Sequence, residues 1–348
     1  MIDKETGGYI IGQNIVFIVL VTPKITIPVG FEFYVPDPEM TKWYKEEKRL
    51  KEQGVDKKDR PYRPSKNEEY PTKQEIALLL LERFKTFHPD IKIRCIVADA
   101  LYGTRDFLNN ASKMFGGIQV ISQLRVNQKI RVIKSEQSVA EYFLKHPPIK
   151  GKIRIRGSID KSVMLGSVRA EVCSHGVKRF VIALKYDGEE KYRYLVASNL
   201  SWRALDIVQA YTLRWLIEIV FQDWKAYEGW GQLTKQPGED GSYRSLILSL
   251  LVDHSLFFHP NQITQIDNCL PAYTVGSLQS KIKVECLISS IKEIVLSENP
   301  KERLNELIAS LEKDFVLRFS RKHMVGKDLG RIEPTPSLKY KSLNYKAA

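Results

Sequence analysis

Two stretches of the chain carry polar side chains at spacings that suit chemistry. From Tyr211 to Lys225 the sequence reads YTLRWLIEIVFQDWK, which sets Arg214, Glu218 and Lys225 three, seven and fourteen residues after Tyr211. On an α-helix those four side chains fall within a stripe about 60° wide, with Leu216, Ile217, Ile219 and Val220 on the far side. The pattern is that of a helix with an apolar back and a line of polar groups in front. A solvated stripe held by an Arg–Glu pair would look the same. The second stretch is CIVADALYG, Cys95 to Gly103, in which Asp99 closes an apolar run. A carboxylate at the carboxyl end of a strand in an α/β sheet stands at the edge where ligands bind; a turn-forming aspartate that caps the following helix is the plainer alternative.

The surrounding elements must position those residues. Residues 8–34 read as two strands, Tyr9 to Thr22 and Ile25 to Tyr34, rich in β-branched and aromatic side chains. The charged stretch 37–73 reads as an exposed excursion, helical between Met40 and Gln53, and either a solvated insertion or a phosphate-contacting arm. Ile76, Leu79, Leu80 and Phe84 repeat at helical spacing over Lys73 to Phe87. Ile91 to Ala98 reads as a buried strand leading to Asp99, with a turn at Gly103 and a helix from Thr104. Short alternating segments then recur between Gly116 and Ser198, with a hairpin signal at Asp187-Gly188. Within them, Lys150, Lys152, Arg154 and Arg156 alternate and so share one strand face. Leu205 to Trp230 reads as one long helix, Ser242 to Phe258 as an apolar core helix, and Val275 to Leu296 and Lys301 to Phe319 as further helices. The tail beyond Lys322 reads as frayed or extended.

The chain has 348 residues, enough for more than one domain, with 43% hydrophobic and 27% charged residues, an ordinary globular balance. The apolar run Ile15 to Val21 is too short to span a bilayer and lacks the flanks of a signal peptide, which points to a cytoplasmic location. Cys95, Cys173, Cys269 and Cys286 are scattered, without the paired spacing of a zinc site, and read as reduced thiols in core positions. Fifty-four Lys and Arg against 41 Asp and Glu give a net charge of +13, a surplus that favours a polyanion as partner.

With these residues in view, the chain resembles the DDE transposases of bacterial insertion sequences, in the insertion-sequence-four group. Tyr211, Arg214, Glu218 and Lys225 match the group's Y-x2-R-x3-E-x6-K signature at every spacing, and Asp99 followed by Tyr102-Gly103 resembles its second catalytic carboxylate. The resemblance covers most of residues 8–260. It implies a ribonuclease H-like α/β core with a β-rich insertion before the glutamate helix, plus C-terminal helices. The divisions would be 1–117 for the first part of the core, with the excursion 37–73; 118–200 for the insertion; 201–260 for the second part of the core; and 261–348 for a helical region and basic tail.

The resemblance also implies function: metal-dependent phosphodiester hydrolysis and strand transfer at insertion-sequence ends. Asp99 and Glu218 would ligate Mg²⁺, with Mn²⁺ as a substitute, and Tyr211, Arg214 and Lys225 would hold DNA phosphates. The partners would be double-stranded DNA, at element ends and target, and a second copy of the chain, in a nucleoid-associated setting with neither membrane nor small-molecule substrate. The group's first catalytic aspartate ends a strand that precedes the two read at residues 8–34. Asp3, in a polar segment, does not match it, so the sequence reads as an N-terminally truncated transposase, incomplete for catalysis. The alternative is a non-catalytic DNA-binding or transposase-inhibiting fragment acting by hetero-association.

Overall fold

The computed structural model describes residues 14–155, 159–230 and 238–314. Asp3, the start of the first expected strand, Arg156 and the tail beyond Lys322 lie outside them. The chain divides into two units, Met1–Leu278 and Gln279–Ala348.

The first unit is a mixed α/β structure with two sheets. Strands β1 (Asn14–Val21) and β2 (Thr26–Tyr34) form an antiparallel pair with a register shift at Ile18/Val19. Their alternation serves two faces. Val16 and Ile18 pack with Ile76, Ala77 and Leu80 of helix α2 (Lys73–Phe87), whereas Ile15, Phe17, Val19, Phe31 and Phe33 pack on the opposite side. Between β2 and α2 lies helix α1 (Pro38–Glu52), capped by Asp37 and without a buried residue, so this helix of the charged excursion is exposed. Helix α2 begins at a reciprocal Thr72–Glu75 capping box. Its buried stripe is Ile76, Ala77, Leu80 and Phe84; Leu79, expected there, is 41% exposed.

The second sheet has eight strands, in the order β3-β4-β10-β9-β8-β5-β6 with β7 paired to β8. They are β3 (Cys95–Val97), β4 (Gln119–Leu124), β5 (Lys129–Val132), β6 (Ser135–Ser138), β7 (Ile149–Ile155), β8 (Ile159–Val172), β9 (Val177–Tyr186) and β10 (Arg193–Ala197). Among the described residues only β3 and β4 are parallel, joined by helix α3 (Arg105–Met114) as a β-α-β unit; every other pairing described in this sheet is antiparallel. The strands of the β-rich block thus continue the sheet that begins at β3. Strand β3 is shorter than the expected Ile91 to Ala98, because β4 starts opposite Cys95 and offers residues 91–94 no partner. A helix, α4 (Val139–Lys145), interrupts the block. Its signal in the sequence was the capping box Ser138-x-x-Glu141. On β7, Lys150, Lys152 and Arg154 are exposed and Ile153 is buried, as the alternation predicts.

Helices cover both faces of this sheet. One face packs on α2 and α3, with Leu108, Ala111, Val120 and Val196 in the cluster; on the other, Ile207, Val208 and Tyr211 of helix α5 (Ala204–Tyr211) pack on Ile121, Ile182 and Leu195. The expected single helix from Leu205 to Trp230 is broken: α5 passes through a 3₁₀ turn, Thr212–Trp215, into helix α6 (Leu216–Ala226). Two demands account for the break. Helix α5 is docked on the large sheet, whereas α6 docks Val220 and Trp224 on the β1–β2 pair. Thr212, whose hydroxyl donates to the Gln209 carbonyl (2.7 Å), and Trp215 are weak helix formers at the junction. As a result Val220 and Trp224 face the core, while Ile219, expected on the buried back, is exposed.

Helix α7 (Gly238–Phe257) also departs from expectation. Its buried residues are Ser245, Leu246, Ser249, Asp253 and Leu256, and Ile247, Leu248 and Leu251 are exposed, so it is not an apolar core helix. Helix α8 (Pro260–Asp267) follows. Helix α9 (Val275–Val295) crosses the boundary between the units, and the second unit continues into α10 (Pro300–Asp314). Along α9, Val284, Leu287, Ile288, Ile291 and Val295 form an exposed stripe at helical spacing. The four cysteines are free thiols, Cys95 and Cys173 half-buried and Cys269 and Cys286 exposed, rather than core fillers. Among the described residues no helix is long and apolar enough to cross a membrane.

Candidate active site

Asp99 follows β3 at the point where the backbone enters a 3₁₀ turn, Ala100–Tyr102. The carboxylate is exposed and accepts from the Ala100 backbone N–H (2.8 Å). The backbone around it is held from three directions. Ser122 of β4 donates its hydroxyl to the Asp99 carbonyl (2.6 Å), and Gln74 of α2 donates to the Leu101 carbonyl (2.7 Å). From the turn between β8 and β9, His175 Nε2 donates to the Gly103 carbonyl (3.2 Å). Gly103 is there because nothing larger fits: a Cβ would run into the Gln123 carbonyl oxygen.

Tyr211, at the end of α5, is buried, and its hydroxyl accepts a hydrogen bond from the Gln123 side chain. Burial raises the Tyr211 phenol above its ordinary range, opposed by the nearby Arg214 guanidinium and reinforced by the charge of Asp99. Tyr102 is pushed up to about 12 by burial and, secondarily, by Asp99. These tyrosines act as neutral hydroxyls at neutral pH. Arg214, in the 3₁₀ turn, reaches Glu218 in the first turn of α6 (3.6 Å).

Asp99, Tyr211, Arg214 and Glu218 are therefore linked in sequence, Asp99 to Tyr211 and Tyr211 to Arg214 by their fields, Arg214 to Glu218 by an ion pair. Lys225 stands apart from that chain. It is exposed, two turns further along α6, with its ammonium 5.5 Å from the centroid of the Trp230 ring. The tryptophans divide as well. Trp224 is fully buried and meets Phe17 edge-on at 4.8 Å, Trp202 packs against the cluster under α5, and Trp215 is 62% exposed.

All five sequence candidates fall within one match. Residues 62–236, half of the chain, fit the family model described as a transposase DDE domain. The chain belongs to that family. A comparison with curated protein sequences finds no match. Hairpin β1–β2, which supports α6, and everything from α7 onward lie outside the matched segment of this transposase-domain protein.

Three groups beside the candidates escaped the sequence reading. Gln123, one residue beyond Ser122 on β4, carries no motif that marks it as a partner of Tyr211. His175 is buried, donates to the Asp99 turn, and accepts at Nδ1 from Arg179 (3.4 Å). Burial, with the Arg179 charge second, holds its imidazole down at about 4, so it is neutral and its tautomer is set by its two partners. Glu228, 2% exposed, and Asp253, buried on α7, form an acidic pair. Burial raises both carboxyls, and the charge of each other and of Asp223 adds to the effect on Glu228, so the pair retains a proton at neutral pH. Only their position after α6 and on α7, set by tertiary packing, brings them together.

Asp99 and Glu218 offer hard oxygen donors, the set that suits Mg²⁺, which is bound through one or two carboxylates together with substrate phosphates and water. Among the described residues no group of three or more His, Cys, Asp or Glu side chains is placed to hold a metal. Glu218 stands beside Arg214, and Asp99 and Arg214 both act on the Tyr211 hydroxyl.

Proposed function

We propose that this chain is a DNA transposase of the insertion-sequence-four kind, built on a ribonuclease H-like core, that hydrolyses phosphodiesters at element ends and transfers the freed strand to target DNA. The observation that carries the reading is the Asp99–Tyr211–Arg214–Glu218 chain of interactions inside the matched transposase domain. Asp99 and Glu218 would hold divalent metal, Mg²⁺ or Mn²⁺ in its place. A bound ion would stabilise charge on the attacking and leaving oxygens of an in-line displacement. Arg214, forked and partly buried, positions a phosphate oxygen, and Glu218 orients it through the ion pair. Tyr211, neutral and held by Gln123, donates its hydroxyl proton to a second phosphate oxygen. Lys225 contacts DNA further along α6 as a point charge.

The net charge of +13 and the basic face of β7 support double-stranded DNA as partner. The exposed apolar stripe of α9 supports a homodimer. The division of the chain into 1–117, 118–200, 201–260 and 261–348 stands as a proposal of the same kind. The test is cleavage of a duplex that carries an element end and its flank, with Mg²⁺ and with chelator. Metal-dependent nicking at the end, abolished by Asp99→Asn and by Glu218→Gln, supports the reading. Nicking that survives either substitution refutes it.

One observation favours a second reading: the absence, among the described residues, of a third carboxylate beside Asp99 and Glu218. A non-catalytic DNA-binding or transposase-inhibiting fragment would bind element ends in a salt-sensitive manner unaffected by Glu218→Gln, and would not cut them.

A further inference from the structure

Arg179 is a buried cation without a carboxylate. It is the third residue of β9, opposite Ala170 of β8, is 5% exposed, and directs its guanidinium to neutral acceptors: Nε donates to His175 Nδ1 (3.4 Å), and a terminal nitrogen donates to the Asn109 side-chain oxygen. Burial makes its guanidinium a stronger acid than usual, and no acidic neighbour offsets that effect among the described residues. A guanidinium has five N–H donors, so two bonds leave the remaining donors without a described protein acceptor. Burying a charge in this way is costly unless an opposite charge joins it.

The surroundings provide room for one. Arg179 lines a cavity of about 560 Å³ together with Asn109 and Lys113 of α3, the Gly116-Gly117 turn and Ser198 beyond β10. Among the described residues no acidic side chain lines it. Lys113 is exposed at the rim, where its flexible stem can bring a second positive charge over the opening. The carbonyl end of α3, which would repel an anion, is covered: Lys85 donates its ammonium to the Met114 carbonyl (2.6 Å). Gly116 and Gly117 both have φ in the left-handed region, +77° and +88°, and the space above each is open.

We infer that this cavity is a phosphate-binding site, lined by neither Asp99 nor Glu218, in which the buried Arg179 and the exposed Lys113 take up a phosphate group. Arg179 supplies the forked recognition and Lys113 the point charge. The site communicates with the Asp99 turn through one side chain, because His175 accepts from Arg179 and donates to the Gly103 carbonyl. The phosphate could belong to a DNA backbone or to a small phosphorylated molecule. The DNA source rests on the function proposed above; the phosphate site itself does not.

The experiment titrates inorganic phosphate into the full chain at fixed ionic strength, with chloride as the reference ion, followed by calorimetry and by thermal melting. The expected result is saturable binding and a raised melting temperature. Lys113→Gln, at an exposed position, should weaken phosphate about fivefold to tenfold while leaving the circular dichroism spectrum and basal melting unchanged. Arg179→Lys, which keeps the charge and loses the fork, should weaken it further. No saturable effect beyond chloride, or binding unchanged in a folded Lys113→Gln protein, would overturn the inference. A second arm measures duplex DNA affinity against salt. A slope reduced by about 0.9 in Lys113→Gln identifies a DNA phosphate as the occupant; an unchanged slope with weakened inorganic phosphate binding identifies a small phosphorylated ligand. Asp99→Asn should retain phosphate binding, so a chain that binds phosphate but never cleaves DNA would sink the transposase reading and leave this site standing.

Discussion

The two halves of the candidate site are supported in different ways. Asp99 and Tyr211 belong to the eight-stranded sheet, one at the end of β3 and one on the helix packed over β4 and β10. Their surroundings are fixed by hydrogen bonds from Ser122, Gln74, His175 and Gln123. Glu218 and Lys225 belong to α6, which rests on the two-stranded β1–β2 pair through Val220, Trp224 and a group of phenylalanines. The polar side is held by directional bonds and the other by aromatic packing, and among the described residues no strand pairing joins the two sheets. The 3₁₀ turn Thr212–Trp215 is their covalent link at the site, and Arg214 lies in it. The candidate site depends on two supports that differ in kind.

The largest expected effect comes from breaking the aromatic support. Trp224→Ala should cost about 3–5 kcal/mol, as aromatic truncations in a core do, measured by urea denaturation. Native-state hydrogen exchange should then show faster exchange in β1, β2 and α6 with β4 and β10 still protected. Uniform loss of protection would show that the two supports are one. Gly103→Ala attacks the other half. Its Cβ meets the Gln123 backbone, which cannot move as a side chain end would, and the expected cost is about 3 kcal/mol. Here exchange should accelerate around the Asp99 turn and β4 while α6 keeps its protection.

Acidity sharpens the contrast, because the halves carry buried groups of opposite sense. His175 has its folded value lowered to about 4 from an ordinary 6.5. Between those values the unfolded chain binds the proton and the folded chain does not, so this contribution is full above about pH 6.5 and is lost as pH falls toward 4. It amounts to at most about 3 kcal/mol. The Glu228–Asp253 pair has its folded values raised. Its contribution is full below the ordinary carboxylate range and is lost as pH rises. His175→Gln should therefore flatten the acid limb of a stability profile. Glu228→Gln should raise stability at pH 8 by about 1–2 kcal/mol and change little at pH 4. A Glu228→Gln protein less stable at pH 8 would show that the charged carboxylate has a partner. Lys225→Ala is the smallest change expected, within about 0.5 kcal/mol at an exposed position.

Much of this was legible in the sequence, and what was not has a physical cause. The β1–β2 pair, α2 and the Asp99 turn followed from local pattern: alternation, a Thr72-x-x-Glu75 box and an apolar run ending in a carboxylate. The Tyr211–Lys225 spacing marked one segment, yet the stripe it implied assumed one straight helix. Docking on two sheets bends the chain at Thr212–Trp215, turns Ile219 outward and leaves Lys225 over Trp230. Helix α7 misled because its apolar content says nothing about which face is buried; Ser245, Ser249 and Asp253 face inward opposite Glu228, where Ser249 donates to the Glu228 carbonyl (3.1 Å). His175, Gln123 and Arg179 became visible only with the sheet order, since each meets its partner across a separation that no local motif spans.

The most direct test of the account is whether Asp99 and Glu218, carried by different supports, share a divalent ion. Mn²⁺ binding to the full chain, followed by electron paramagnetic resonance in the presence of a short DNA duplex, measures this. The account predicts that Asp99→Asn and Glu218→Gln each weaken Mn²⁺ about tenfold or more, about 1.4 kcal/mol, and that the double substitution costs less than the sum of the two, as for residues that act on one ligand. Mn²⁺ affinity unchanged by Glu218→Gln, or strictly additive losses, would contradict it.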